Sequence, residues 1–354
     1  MVSGDAAGHL FRPDETGGEY FAAPVPDTYH AHPGVPRNLS HFLDRGSLIA
    51  LDAALQALES AGLGAGAGDA RRFAVCDGAA YRAPGQSTLF VPYGHLVARA
   101  LGVRGAVIVS SGAEASGMTA IANGVRLIRT GQADVVLAGA AQALQSPLIE
   151  HLRAQGFAAR SSGKPFDVSS PGYTAAEGAG YIVLESESHA RERGADMFAT
   201  VAGIGETFDA LAEPLANSDP SEAGRAMQAA LGEAGFMQNQ VDLVVSCADG
   251  RPQLDFADGM GIKRTFGRHA YFAAVSSPAG AIGHALAASG PLNVVLALDA
   301  MRRQEVFPVT GLEMPEAELE LAFVKSPRAE KLDCVLVTSL GMGGTNVSVL
   351  LHKP

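Results

Sequence analysis

The chain contains no tryptophan and only three cysteines. Cys76, Cys247 and Cys334 lie far apart, with neither CxxC nor other metal-ligand spacing, so no metal site is read from them and no cofactor is expected. Reduced thiols fit a cytoplasmic setting. Basic clusters are also missing and the net charge is -11. Nucleic acid and anionic membrane therefore drop out as expected partners, while a basic patch on another protein stays open. No apolar run approaches the ~20 residues of a membrane helix. The opening MVSGDAAGHLFRPDETGG lacks the charged-then-apolar order of a signal peptide, and none is expected.

What is present reads as a compact chain. Hydrophobic residues make up 47% and charged residues 18% of 354, enough apolar surface for a large core or two fused ones. Residues 1 to about 35, rich in Pro, Gly and His, read as a loop or arm, and Asn38-Leu39-Ser40 as a helix cap. Helical spacing of apolar residues runs from Phe42 to Leu58. A short strand follows at Arg72–Cys76, and ADVVLAGAA is a continuous apolar strand of a sheet covered on both faces. GYIVLES and FATVAGIGETF read as a closing strand pair. The pattern then repeats: helix Glu222–Ala234, strand Val241–Val245, helix Phe256–Phe266, strand YFAAVSS, a long helix His284–Met301, and two strands around the glycine turn in DCVLVTSLGMGGTNVSVLLH. Two similar α/β halves are expected, divided as 1–209 and 210–354, although no identity between them is visible in the sequence.

One stretch carries the chemical question. VIVSSGAEASGMTAIANGVRLIRTG, Val107 to Gly131, reads as a buried strand, a turn and an amphipathic helix. Enzymes mount nucleophiles on such turns, yet here the position holds Glu114. Ser110, Ser111 and Ser116 stand nearby, and no sequence feature pairs a base with any of them. The GMGGTN run is not read as a phosphate loop, because VSVLLH after it reads as a strand and such a loop needs a helix.

Five stretches in order resemble the β-ketoacyl synthase family: the one just quoted, KPFDVSSPGYTAAEGAGYIVLESESHARERGA, GRPQLDFADGMGIKRTFG, SSPAGAIGHALAASGPLNVVLAL and TSLGMGGTNVSVLL. The resemblance covers roughly residues 105 to 354. It implies a thiolase-like α/β fold, two halves in an αβαβα arrangement. It also implies a reaction in which a helix-head cysteine carries an acyl chain while two histidines and a lysine assist decarboxylative attack. Placed on the family pattern, Glu114 takes the cysteine position, Cys247 the first histidine, Ala279 the lysine and His284 the second histidine. Met342 replaces a phenylalanine within an intact turn of Gly341, Gly343, Gly344, Thr345 and Asn346. The family's first-strand stretch, VVVTGxG, has no counterpart, so a shortened N-terminal half is expected.

Scaffold kept and chemistry removed resembles one branch, the chain length factor, the β subunit of a type II polyketide ketosynthase heterodimer. That branch carries Gln where this chain has Glu114. The resemblance implies a catalytic ketosynthase α subunit as partner, acyl carrier protein reaching the complex, and a shared elongation tunnel lined by Thr88, Leu89, Phe90, Tyr93 and Met342. Ordinary core packing is an equal reading of the first four. A carboxylate attacking a thioester would give an anhydride, too reactive to hold a chain. Decarboxylation or acyl hydrolysis by Glu114 with His284 is a second reading. Against it, an ionised Glu114 ~4 Å from a malonyl carboxylate would repel it by about 4 kcal/mol at an effective dielectric of ~20. A third is a degenerate homodimer that binds an acyl chain or carrier protein. Cys247 reads as a buried small hydrophobe and His284 as a hydrogen-bonded core residue as readily as a catalyst. Product class and chain length are not written in the sequence.

Overall fold

A computed structural model describes residues 8–13, 19–26, 33–35, 43–64, 69–79, 91–210 and 219–354. In chain order the elements are β1 (His9–Phe11), β2 (Tyr20–Ala22), α1 (Arg45–Ser60), β3 (Phe73–Gly78), α2 (Tyr93–Leu101), β4 (Val107–Ser110), α3 (Ser116–Arg129), β5 (Val135–Gln142), α4 (Ser146–Ala154), β6 (Gly178–Glu185), α5 (Glu187–Glu192) and β7 (Thr200–Phe208). Then come α6 (Pro220–Ala234), β8 (Leu243–Val245), α7 (Pro252–Phe266), β9 (Ala274–Ser276), the short α8 (Ala279–Ile282), α9 (Ser289–Arg303), β10 (Glu305–Val306), β11 (Arg328–Ala329), β12 (Cys334–Leu340) and β13 (Thr345–His352).

Two sheets form the frame. The first has strand order β4-β3-β5-β6 and the second β9-β8-β12-β13-β7. In each, the first three strands of that order run parallel and the next is antiparallel to its neighbour. β5 is buried at every position, VVLAGAAQ, as a strand covered on both faces must be. Between the sheets, Met118, Ile121 and Val125 of α3 share one core with Val294, Ala297 and Met301 of α9 and with Val136 and Val337 of the two sheets. Leu51, Leu55 and Leu58 of α1 and Val97 and Leu101 of α2 cover the outer face of the first sheet. Met227 and Leu231 of α6 and Ile262 and Phe266 of α7 cover that of the second. The layers are thus αβαβα.

Four sequence expectations change. The arm holds a two-stranded hairpin, β1–β2, with Tyr20 and Ala22 buried against Leu144, Leu148 and Tyr173. The cap expected at Asn38–Ser40 lies outside the described residues, and Asp44 caps α1 by accepting from Ser47 N–H at 2.8 Å. The closing strand pair is divided: β6 joins the first sheet through β5 and β7 the second through β13. The chain therefore changes sheets between Glu185 and Thr200, ahead of residue 209. His284 stands outside the helix expected to begin there. Its N–H donates to Thr174 O at 2.8 Å and its carbonyl accepts from Ala176 N–H at 3.0 Å, so its backbone groups are committed to another segment, and α9 starts only at Ser289.

The central layer is close-packed at Gly117, where an added Cβ would meet Ala287 O at 2.2 Å and Pro291 Cγ at 2.5 Å. Backbone cannot move away cheaply. Gly117→Ala is expected to lower unfolding stability by about 1–3 kcal/mol, read as a lower urea midpoint with unchanged slope.

Candidate functional site

Between β4 and α3 the chain turns sharply. Ala113 has φ +51°, a conformation that costs a non-glycine residue about 1–3 kcal/mol. Ser116 helps to hold it: its Oγ accepts from Gly112 N–H at 2.8 Å and donates to Ala113 O at 2.5 Å. Ser116 is thereby occupied with backbone, and Ser110 accepts from Asn123 Nδ2 at 3.0 Å. The turn between β12 and β13 presses on the same elbow. A Cβ at Gly341 would lie 2.4 Å from Gly112 O, and Gly344 adopts φ +92° as its N–H closes onto Gly341 O at 2.8 Å. The GMGGTN run is therefore a hairpin turn, as read from the sequence.

Glu114 lies one residue ahead of the α3 cap Ala115, so it is not within the first helical turn. It is 2% exposed. Its Oε1 pairs with Arg251 Nη1 at 3.0 Å, and its Oε2 accepts the N–H of Met342 at 2.8 Å. Arg251, in the loop after β8, also grips Asp249: Nη2 to Oδ2 at 2.7 Å, and Nε to both carboxylate oxygens at 3.1 Å. The guanidinium carbon sits 5.1 Å from the Tyr173 ring centre and 5.7 Å from that of Phe157. His284 Nε2 lies 3.5 Å from Asp249 Oδ2, and its ring is 4.8 Å from Tyr173. The result is a buried row of carboxylate, guanidinium, carboxylate and imidazole where the two halves meet.

Burial alone would raise Asp249, but Arg251 and His284 bring it below the usual carboxylate range. Burial likewise opposes the Arg251 charge, and Asp249 and Glu114 more than offset it, so the guanidinium is held firmly protonated. His284 is pushed down, first by burial and then, against the pull of Asp249, by Arg251. Among the described residues, its Nδ1 and the Tyr173 hydroxyl are buried without a hydrogen-bond partner.

The other expected residues fall out as follows. Cys247 packs beside the row, among Thr338, Asp258, Leu340, Leu254 and Ala257, near enough to Asp249 to feel its charge. Burial, followed by Asp258, pushes its thiol well above the ordinary range, which makes it a packed thiol. Ala279 is buried at the start of α8 and has only a methyl group where the family pattern has lysine. Thr88, Leu89 and Phe90 lie outside the described residues. Tyr93 packs among Leu51, Leu55 and Val97 in the outer helical layer. Met342 is half-buried, and its backbone joins the site.

Sequence reasoning passed over Arg251, Asp249 and Tyr173. A signal was there. In a gapless count through GRPQLD, the two threonines of the family segment HGTGTP become Asp249 and Arg251, an acid and a base two residues apart.

Comparison with known proteins fits this geometry. Two family models match, "Beta-ketoacyl synthase, N-terminal domain" over residues 15–190 and "Beta-ketoacyl synthase, C-terminal domain" over residues 198–313. The chain belongs to the β-ketoacyl synthase family. It is 32% identical over 336 residues to nodulation protein E of Rhizobium meliloti, covering 88% of this chain and 82% of that protein. It is 33% identical over 266 residues to the granaticin polyketide putative β-ketoacyl synthase 1 of Streptomyces violaceoruber, covering 73% of this chain but only 63% of the relative. The solved ishigamide ketosynthase/chain length factor superposes with a TM-score of 0.89 at 22% identity, over 99% of this chain and 93% of that one. The fold is the thiolase-like ketosynthase fold.

Removing the shared cation tests the row. Arg251→Met would leave Glu114 and Asp249 buried without their partner, which costs about 3–5 kcal/mol. The pH dependence should also invert. In the parent, Asp249 is depressed, so its contribution is present above the unfolded carboxylate range and lost on acidification through the folded value. In Arg251→Met, Asp249 would lose its chief partner, and burial would make it bind its proton more tightly folded than unfolded. The variant should therefore gain stability as pH falls through that window, measured by urea unfolding between pH 4 and 8. A parent-like slope would refute the network.

Proposed function

We propose that this chain is a non-catalytic, chain length factor-like subunit that pairs with a cysteine-bearing ketosynthase and helps to shape its elongation tunnel. The observation that carries this reading is Glu114 itself. At the elbow where the family holds its acyl-carrying thiol, this chain buries a carboxylate bonded to Arg251 and to the Met342 N–H. Ser116 beside it is tied to backbone, and His284 turns its Nε2 to Asp249 while its Nδ1 is buried. The same arrangement weakens the decarboxylase or hydrolase reading, since an acid–base pair of Glu114 and His284 would have to be drawn out of these contacts first. The pairing partner and the acyl carrier protein come from relatives. One structural neighbour is described as a ketosynthase/chain length factor, and another as an acyl carrier protein in complex with its ketosynthase. Among the described residues no helix is long and apolar enough to cross a membrane.

The test is reconstitution. Purified alone, the chain should take no radiolabel from an acyl carrier protein thioester and elongate nothing. Purified with a cysteine-bearing ketosynthase, it should elute as a 1:1 complex that elongates malonyl units. A labelled thioester on this chain would end the proposal, and a stable homodimer indifferent to the ketosynthase would favour the binding-module reading. Within the complex, Glu114→Gln keeps the side chain's shape and one acceptor oxygen while removing the charge, and on the non-catalytic reading the partner's thiol does the chemistry. Turnover is therefore expected to stay within a factor of about 3, the equivalent of ~0.7 kcal/mol, whereas a hundredfold loss with the complex intact would assign Glu114 to chemistry.

A further inference from the structure

Arg251 and Met342 turn two N–H groups toward one place, and the side chain of Glu114 ends there. Arg251 Nη1 donates to Oε1 at 3.0 Å and the Met342 N–H to Oε2 at 2.8 Å. Each donor is held without help from Glu114. Asp249 takes Arg251 Nη2 at 2.7 Å and Nε at 3.1 Å, which leaves Nη1 for the elbow. The loop that carries Arg251 is pinned by Asp255, which accepts the N–H groups of Asp249 and Gly250 at 2.8 and 3.0 Å. The Met342 N–H is fixed by its own turn. Gly341 N–H donates to Thr345 O and Gly344 N–H to Gly341 O, both at 2.8 Å. Donors set in advance and out of water make a receptor, and they lose little on receiving a ligand.

What the receptor takes follows from its parts. One guanidinium N–H and one backbone N–H, aimed at separate oxygens, match the two oxygens of a carboxylate. A neutral amide brings one acceptor oxygen and an NH₂ group that would meet a donor. Asp249 already neutralises Arg251, so the place left to Glu114 calls for a single negative charge at most. The site also lies under a surface turn. A Cβ on Gly343 would meet nothing within 4 Å among the described residues, and Met342 is only half-buried, so a small anion has a route in from that side.

We propose that Arg251 and the Met342 N–H form a binding site for a short aliphatic carboxylate, which the native chain fills with its own Glu114. The pocket is closed by an internal ligand. A carboxylate-bearing acyl unit from outside meets a site already occupied at the high effective concentration of a tethered group. The inference rests on the non-catalytic reading, in which Glu114 does no chemistry, and adds the class of ligand that it keeps out.

The side chain sets the size of the ligand. Glu114→Ala keeps Cβ and removes a CH₂–COO⁻ fragment, whose free counterpart is acetate. Glu114→Gly removes one carbon more, and its match is propionate. Each full-length variant is titrated with the sodium salts at constant ionic strength, with sodium chloride as control, and its urea unfolding is followed. Acetate should stabilise Glu114→Ala along a saturable curve, the unfolding equilibrium constant falling about elevenfold at ten times the Kd. In Glu114→Gly, propionate should bind about fourfold more tightly than acetate, the effect of one buried methylene. Acetamide should stabilise neither variant, and the native chain should respond to acetate no more than to chloride. Adding Arg251→Lys to Glu114→Ala keeps a cation for Asp249 but removes the guanidinium fork, and should weaken acetate at least tenfold. A variant that does not fold in chloride should recover native circular dichroism in its matching carboxylate and not in acetamide.

No stabilisation or recovery by the carboxylates, an equal effect of acetamide, the same preference in both variants, an acetate response that survives Arg251→Lys, or one in the native chain would each overturn the proposal. These titrations use neither a partner nor a carrier protein. A labelled thioester on this chain would end the non-catalytic reading while leaving the measured carboxylate site standing, and a null titration would do the reverse.

Discussion

Three charges sit out of water where the two sheets meet, and the order of the pocket depends on their mutual neutralisation. Glu114 comes from the first half, and Asp249 and Arg251 from the second. Any one of them alone would face a large desolvation penalty. Together they are stable because one planar guanidinium forks onto Asp249, reaches Glu114, and rests against the faces of Tyr173 and Phe157. The Met342 N–H takes the remaining Glu114 oxygen. The elbow, the loop after β8 and the β12–β13 turn are therefore held in register by one polar cluster.

That cluster has its own scaffold. Asp255, in the first turn of α7, accepts the N–H groups of Asp249, Gly250 and Phe166. Burial and the nearby Asp249 push its carboxyl up. The three donors still fix the loop so that Arg251 points at Glu114. Phe166, at φ +63°, belongs to the PFD motif, whose Asp167 in turn accepts from Glu313 and Met314 N–H at 2.8 and 2.6 Å. The motif that marks the family in the sequence is thus, in this chain, a brace for the loop that closes the pocket.

How far the sequence disclosed this depends on the kind of signal. Local periodicity and turn chemistry were legible: the central strand β5, helices α3, α6 and α7, and the β12–β13 hairpin follow from apolar runs and glycines. The place of Glu114 was legible too, because the flanking serine and glycine keep the elbow. Which sheet a strand joins was not, since β6 and β7 are both apolar and adjacent in the chain while their partners are remote. His284 looked helical because apolar residues follow it, yet its backbone is claimed by Thr174 and Ala176. The ion row was hidden for a similar reason. Position counting singled out Cys247, but side-chain direction in the loop decides what enters the pocket, and there Asp249 and Arg251 point inward while Cys247 packs on Leu254 and Ala257.

The elbow and the outer strand of the first sheet are separable parts of one scaffold. The elbow is located by β3, where a Cβ on Gly78 would strike Gly117 N at 2.4 Å, and by the segment before α9, where Gly117 faces Ala287 O. Both contacts lie on the inner layer, and β6, beside which a cleft opens between α1 and α9, lies two strands beyond β3 in the same sheet. A sheet interior paired on both sides keeps its twist and register when an outer position is empty, because each ladder is satisfied by its immediate neighbours. A change at the elbow therefore leaves the outer strand undisturbed, and a change at the outer strand leaves the elbow undisturbed. What links the two regions is α9, whose Pro291 packs on Gly117 at one end and whose Val295 and Leu298 wall the cleft further along.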